Sequence, residues 1–404
     1  MDLKPLSPPP YLSSIVELLK QSEPELWKWF HSHKLDPERM GQTRLQLLKA
    51  TYRIEPEEES ELYLCAARVA ERLGIEAPVT FYQAQDGGQI NAMLFYIPGE
   101  VHIIFSGSLL NSFSVEELEV IIGHELSHFL MWTEDDQDYL VAEQVLNALA
   151  NDAQAEACHA ESARLYRLFT EVYCDRGALH VSGDLSRCIT TLVRVDTGLA
   201  RVSAQSYLKQ SEEILDQEQE GSSSLSHPES FMRAKALQLW AEQVPALEQQ
   251  IEKMIRGPEK LVSLDMISRN NLMALTQEFV NQFLFHEWIQ TESTLSHARL
   301  FSQDYKPHPP SRSDEELIVD LKTKDNNLRQ YYCYIMLDFV CADAELEEYP
   351  LAHAVIWARK LGLEKDFAEL AVKEMRLTKK KYTEIAANAE KLLEKVQVEK
   401  EVSA

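Results

Sequence analysis

Apolar residues recur at helical spacing along much of this chain. Val115, Leu118, Ile121, Ile122, Phe129 and Leu130 fall on one stripe, and Ser114 with Glu117 makes a capping box ahead of it. That combination predicts a helix starting near residue 115. Leu165, Leu168, Phe169 and Val172 mark a second helix over 163–178. Leu237, Trp240, Val244 and Leu247 share a stripe within a run of long helices predicted over 235–300. Gln89 to Ile97 and Glu100 to Phe105 predict two strands joined at Pro98-Gly99. The pattern describes a mainly α protein with a small β-sheet, an α+β fold.

The same pattern divides the chain. Residues 1–50 form an N-terminal helical segment containing Trp27, Trp29, Phe30, Leu45, Leu47 and Leu48, expected to pack on the domain that follows. A domain over 51–250 carries the stripes above, and a helical extension covers 251–305. The proline-rich stretch 306–314 reads as a linker, and 315–404 as a helical C-terminal domain. At 404 residues there is room for two or three domains. The net charge of −25 argues against nucleic acid and against anionic lipid, since both need a basic face. The acidic run Glu55 to Glu59 reads as a helix start. No window approaches the roughly 18 consecutive apolar residues of a spanning helix, and the N-terminus lacks the regions of a signal peptide. Six scattered cysteines without a Cys-x-x-Cys pair suit reduced thiols, so a soluble cytoplasmic protein is expected.

Candidate chemistry sits on the first stripe. His124-Glu125-Leu126-Ser127-His128 places two imidazoles four residues apart, on one helix face, with a carboxylate beside them. Such a pair can grip one zinc ion while Glu125 takes a proton from water at the open position. A third ligand is required, and Glu171 on the second helix is the best candidate, its alternative being a plain exposed helix carboxylate. Asp175, one turn on, can orient a liganding imidazole or serve as a salt-bridge residue. Cys174 between them reads as a small core residue that could lie near the metal. His227-Pro228 follows a flexible Gly221-Ser222-Ser223-Ser224, either as a plain loop histidine or as a donor to a developing oxyanion, with Arg233 beyond it.

In this order the motifs resemble the HtpX-like and CAAX-prenyl-endopeptidase group, metallopeptidase family forty-eight, of the gluzincin type. The resemblance includes the helix Leu62 to Ile75, then Val79-Thr80-Phe81-Tyr82, Asn91-Ala92 and Ile104-Phe105-Ser106-Gly107, and so spans roughly residues 60 to 240. It implies a zincin-like metallopeptidase core in which His124, His128 and Glu171 bind one zinc and Glu125 is the general base. His227 would stabilise the tetrahedral intermediate, with Asp175 and Arg233 in support. The implied substrate is a peptide or unfolded protein. In related gluzincins an edge strand beside the zinc pairs with extended substrate; here the predicted hairpin is either that edge or a core element. The chain departs from the membrane-embedded members of the group in lacking apolar spans.

Leu328 to Leu363 resembles the TerB-like helical domain, through Leu337 to Glu347 and Ala358 to Leu363. In that family an acidic turn binds a divalent cation. Here Ala344 replaces the usual glycine, and Asp343 reads as a cap of the turn that also holds Glu345. The resemblance implies a module for a protein partner or for regulation. Two functions remain open from sequence: a zinc endopeptidase, or a latent or inactive protease-fold scaffold holding partners through its helical modules.

Overall fold

The computed structural model describes residues 5–32, 37–85, 88–218 and 220–403. The chain divides into two compact units, 1–258 and 259–404. The first runs α1 (Pro10–Ser22), α2 (Pro24–Ser32), α3 (Pro37–Ala50), β1 (Thr51–Ile54), α4 (Ser60–Leu73), β2 (Val79–Ala84), β3 (Asn91–Ile97) and β4 (Glu100–Ser106). It continues through α5 (Leu109–Ser112), α6 (Val115–Thr133), α7 (Asp138–Ala150), α8 (Ala157–Ser182), α9 (Leu185–Thr197), α10 (Ala204–Gln217), α11 (Ser230–Glu242) and α12 (Leu247–Arg256). The fold is mainly helical with one small mixed sheet, as the patterning predicts.

Helix α8 is the axis of this unit. It is buried on every side, including Glu171, Cys174 and Asp175, because α1, α6, α7, α9 and α11 all pack on it. Its crossing with α6 depends on missing side chains. A Cβ on Gly177 would fall 1.8 Å from Ser127 Oγ, and one on Gly123 would fall 3.2 Å from the Ala178 backbone. The predicted capping box heads α6, with the Ser114 amide donating to Glu117 at 3.0 Å. The helix predicted over 163–178 extends further at both ends.

The sheet order is β1-β2-β4-β3, with β2 and β4 parallel and the other pairs antiparallel. Gly99, at φ 80°, permits the tight Pro98-Gly99 turn. β3 therefore lies at the sheet edge, which resolves the two readings of the hairpin in favour of an edge strand. Its leading residues, Asn91 and Ala92, line the cleft described below. The N-terminal helices lie elsewhere: the Tyr11 ring packs tilted against Phe169 at 4.8 Å, and Lys20 pairs with Asp138 at 2.6 Å.

Two expectations need correction. The stripe Leu237 to Leu247 is not one helix, because α11 stops at Glu242. Pro245 cannot continue the hydrogen-bond ladder, and Gln243 and Ala246 take left-handed φ values of 51° and 53°. The serine run at 221–224 is not a free loop. Arg164 Nη1 donates to the carbonyls of Ser222 and Ser224 at 3.0 and 2.9 Å, and the Ser222 amide donates to Ile255 at 2.9 Å. Gly221 makes this possible, since a Cβ there would sit 2.3 Å from the Arg256 backbone.

The second unit is all helical: α13 (Met266–Phe283), α14 (Glu292–Ala298), α15 (Asp314–Thr323), α16 (Asn326–Ala342), α17 (Tyr349–Leu361), α18 (Glu364–Glu374), α19 (Lys379–Ala387) and α20 (Ala389–Ser403). Its core gathers Phe279, Phe283, Phe339, Trp357 and Phe367. The stretch 306–314, read as a linker, lies within this unit. Asn281 Nδ2 donates to the His308 carbonyl at 3.0 Å, and Arg312 pairs with Glu278 and Asp320. Asp343 caps its turn by accepting from the Glu345 amide at 3.0 Å.

Candidate metal centre and cleft

His124 and His128 project from one face of α6 toward Glu171 on α8. His124 Nε2 lies 3.3 Å from Glu171 Oε2, and His128 Nε2 lies 3.4 Å from Glu171 Oε1. Ligands about 2.0–2.2 Å from a tetrahedral zinc are separated from one another by roughly 3.3–3.5 Å, and each imidazole stands at about that distance from one of the two carboxylate oxygens. Glu171 is 5% exposed, and its Oε2 has no hydrogen-bond partner among the described residues. A buried carboxylate that meets two imidazoles and a guanidinium only at 3.3–3.5 Å is one that a cation between it and the imidazoles would satisfy. The donor set of two imidazoles and one carboxylate suits zinc.

Cys174 is the other donor nearby. Its sulfur and the ligand atoms of His124 and His128 lie within 4.8 Å of one another. Burial and the surrounding carboxylates of Glu171, Glu125 and Asp175 push its thiol pKa up.

Asp175 and Arg233 support the centre from behind. Asp175 Oδ1 meets His124 Nδ1 at 3.0 Å, so the ring presents Nε2 to Glu171. Arg233 grips the same carboxylate twice, Nε to Oδ2 at 2.8 Å and Nη2 to Oδ1 at 2.6 Å, and its Nη2 is 3.5 Å from Glu171 Oε2. Burial works to raise both carboxyls. The Arg233 guanidinium holds Asp175 below the usual carboxylate range, and the two imidazoles hold Glu171 well below it. Burial likewise opposes charge on His124, but Asp175 and Glu171 raise it to about 10 in the metal-free protein, so proton and metal compete for that ring.

His227 comes from the pinned loop, with Nε2 3.5 Å from Glu171 Oε1 and the side chain 56% exposed at the cleft mouth. Arg164 and Arg167 hold this loop to α8, Arg167 Nε donating to Leu225 at 3.2 Å. Glu125 is 7% exposed and lines a cleft of about 510 Å³ together with His124, His128, His227 and Arg233. The structure thus brings together all seven residues singled out from sequence.

It also adds some. Trp132 packs 5.5 Å from the His128 ring and donates from Nε1 to Glu143 Oε2 at 3.0 Å, while burial raises the Glu143 carboxyl. Trp132 lies one turn beyond His128 in sequence, a spacing that could have pointed to it. Glu143, on a different helix, left no such signal. The face of α9 that lines the cleft was equally unforeseen.

Two imidazoles and a carboxylate spaced for one ion, with a free carboxylate alongside, define a candidate metallohydrolase. Residues 56–241 match the family model for Peptidase family M48, a span containing every one of these residues, and the match supports a metallopeptidase. Comparison with curated proteins gave no match.

Proposed function

We propose that the protein is a zinc-dependent endopeptidase whose metal is held by His124, His128 and Glu171. The observation that carries this reading is the pair of 3.3 and 3.4 Å separations that set both imidazoles against the two oxygens of the buried Glu171 carboxylate. When bound, zinc supplies the Lewis acidity that makes a water nucleophilic near neutral pH. Glu125, beside His124 and facing the cleft, accepts the proton of the attacking water and delivers it to the departing amine. His227 donates to the carbonyl oxygen as negative charge develops there, from a loop already fixed by Arg164. Asp175 fixes the His124 ring, and Arg233 keeps that carboxylate ionised and in place.

Cleavage within a chain, rather than at its end, is supported by the position of β3. An extended peptide can add to this edge by main-chain pairing, which gives affinity without a demand for one sequence. The six cysteines are all free thiols, which supports a cytoplasmic setting. Among the described residues no helix is long and apolar enough to cross a membrane. The second unit is read as a TerB-like module for a protein partner, on its sequence resemblance.

Metal analysis of Glu171→Gln and Cys174→Ser tests the ligand set. Wild type and Cys174→Ser are expected to hold about one zinc and Glu171→Gln to lose it. Retention by Glu171→Gln with loss from Cys174→Ser would make the thiol the third ligand.

A further inference from the structure

The endopeptidase reading leaves substrate choice open, and the cleft wall bears on it. Helix α9 contributes Cys188, Thr191, Leu192, Val195 and Asp196 to the cleft. Their spacing of three, four, seven and eight residues places them on a single helix face turned toward the metal centre. Leu192 and Val195 are half-buried and line the cleft, Val195 packing against the core with the rest of its surface.

The facing wall is apolar as well. Val120 and Ile121 stand on α6 one turn before His124, Leu237 stands on α11 one turn after Arg233, and Leu109 closes the end. None of these groups is charged. The charged lining residue of α9 is Asp196, which is exposed at the end of the helix and accepts a hydrogen bond from Ser230.

Distance ties this pocket to the reacting bond. At 1.5 Å per residue, Ile121 and Val120 lie roughly 4.5 and 6 Å along the helix from His124. That is about the reach of a phenylalanine or leucine side chain from its own backbone. A peptide with its scissile carbonyl beside the metal site therefore delivers the neighbouring side chain into the space between α6 and α9.

We propose that the α9 face forms the specificity pocket of this protein, taking a bulky apolar side chain next to the scissile bond. Aromatic and long aliphatic residues fill it. Alanine leaves it empty, and a glutamate would meet an uncharged wall with Asp196 at its end. The proposal rests on the endopeptidase reading for its link to cleavage, but binding can be measured without it.

The test uses full-length Glu125→Gln protein loaded with zinc and fluorescent peptides differing only at one central residue: phenylalanine, leucine, alanine or glutamate. Phenylalanine and leucine peptides are expected to bind about tenfold or more tightly than alanine, with glutamate weakest. Adding Val195→Phe, which fills the pocket, should abolish that preference while zinc content stays unchanged. Adding Leu192→Ala instead should improve binding of a tryptophan peptide relative to phenylalanine, which gives a second test if the filled variant fails to fold. In parallel, cleavage sites made by the wild-type protein in denatured casein are mapped by mass spectrometry. Sites beside bulky apolar residues, moving to small ones in the Val195→Phe protein, would support the pocket. Equal binding of all four peptides, or cleavage indifferent to both α9 substitutions, would overturn it and leave the peptidase reading standing. Selective binding without any cleavage by wild type would instead uphold the pocket and remove the peptidase reading.

Discussion

Asp175 shows how much of the proposed centre depends on residues that would not touch a metal. It takes two hydrogen bonds from Arg233 and one from the His124 ring, and all three groups are largely buried. Asp175→Asn keeps the shape but removes the charge that orients the imidazole. Zinc affinity is expected to fall about 10- to 100-fold, measured by competition with a chromogenic chelator, with the fold intact by circular dichroism. His124, Glu125 and His128 were legible because one helix turn brings both histidines together in sequence as well as in space. Glu171, Asp175, His227 and Arg233 were legible only as an ordered set of motifs, since each alone resembles an ordinary surface residue. Glu143 was not legible. It reaches the centre through the Trp132 indole, from a helix whose position only the packing determines.

At the scale of elements, the crossing of α6 and α8 carries the site. Two glycines and a serine let the helices approach, with the Ser127 hydroxyl turned back to its own helix at the Gly123 carbonyl. Replacing Gly177 with valine drives a side chain into Ser127 and forces the helices apart. The expected cost is about 1–3 kcal/mol in urea denaturation, together with weaker zinc retention. The helical stripes that carry the candidate ligands were readable because their period is long and their caps are explicit. The stripe across 237–247 misled, since Val244 and Leu247 continue the period while Pro245 breaks the backbone. The serine run misled in the opposite direction. Its composition reads as flexible, yet α8 supplies arginines that bind its carbonyls, a pairing visible only in three dimensions. Arg164→Ala is therefore expected to raise amide hydrogen exchange across residues 222–225 without changing exchange in α6.

At the scale of the whole molecule, each unit has its own core, so each can report on its own stability. In the second unit His353 is 4% exposed, donates from Nε2 to the Phe283 carbonyl at 2.9 Å, and has no partner for Nδ1 among the described residues. Burial, with the neighbouring His286, lowers its pKa from 6.5 to about 3. Below pH 6.5 the unfolded chain takes up a proton that the folded unit refuses until about pH 3. This stability is therefore whole above pH 6.5 and falls as the pH drops through that window. Between pH 7 and 5 the loss is on the order of 2 kcal/mol. His353→Gln keeps a donor for Phe283 and removes the titration, so the stability difference between wild type and this variant should shift by that amount across the range. A difference independent of pH would mean that His353 takes up its proton alike in the folded and unfolded chain.

Glu125 is proposed as the base beside a zinc ion held by this site, and one paired measurement decides it. Zinc content and hydrolysis of unfolded casein are measured on wild type and Glu125→Gln prepared together. About one zinc is expected in each, with cleavage at least about a hundredfold slower in the variant than in wild type. Equal cleavage by the two proteins, or failure of both folded proteins to retain zinc, would contradict it.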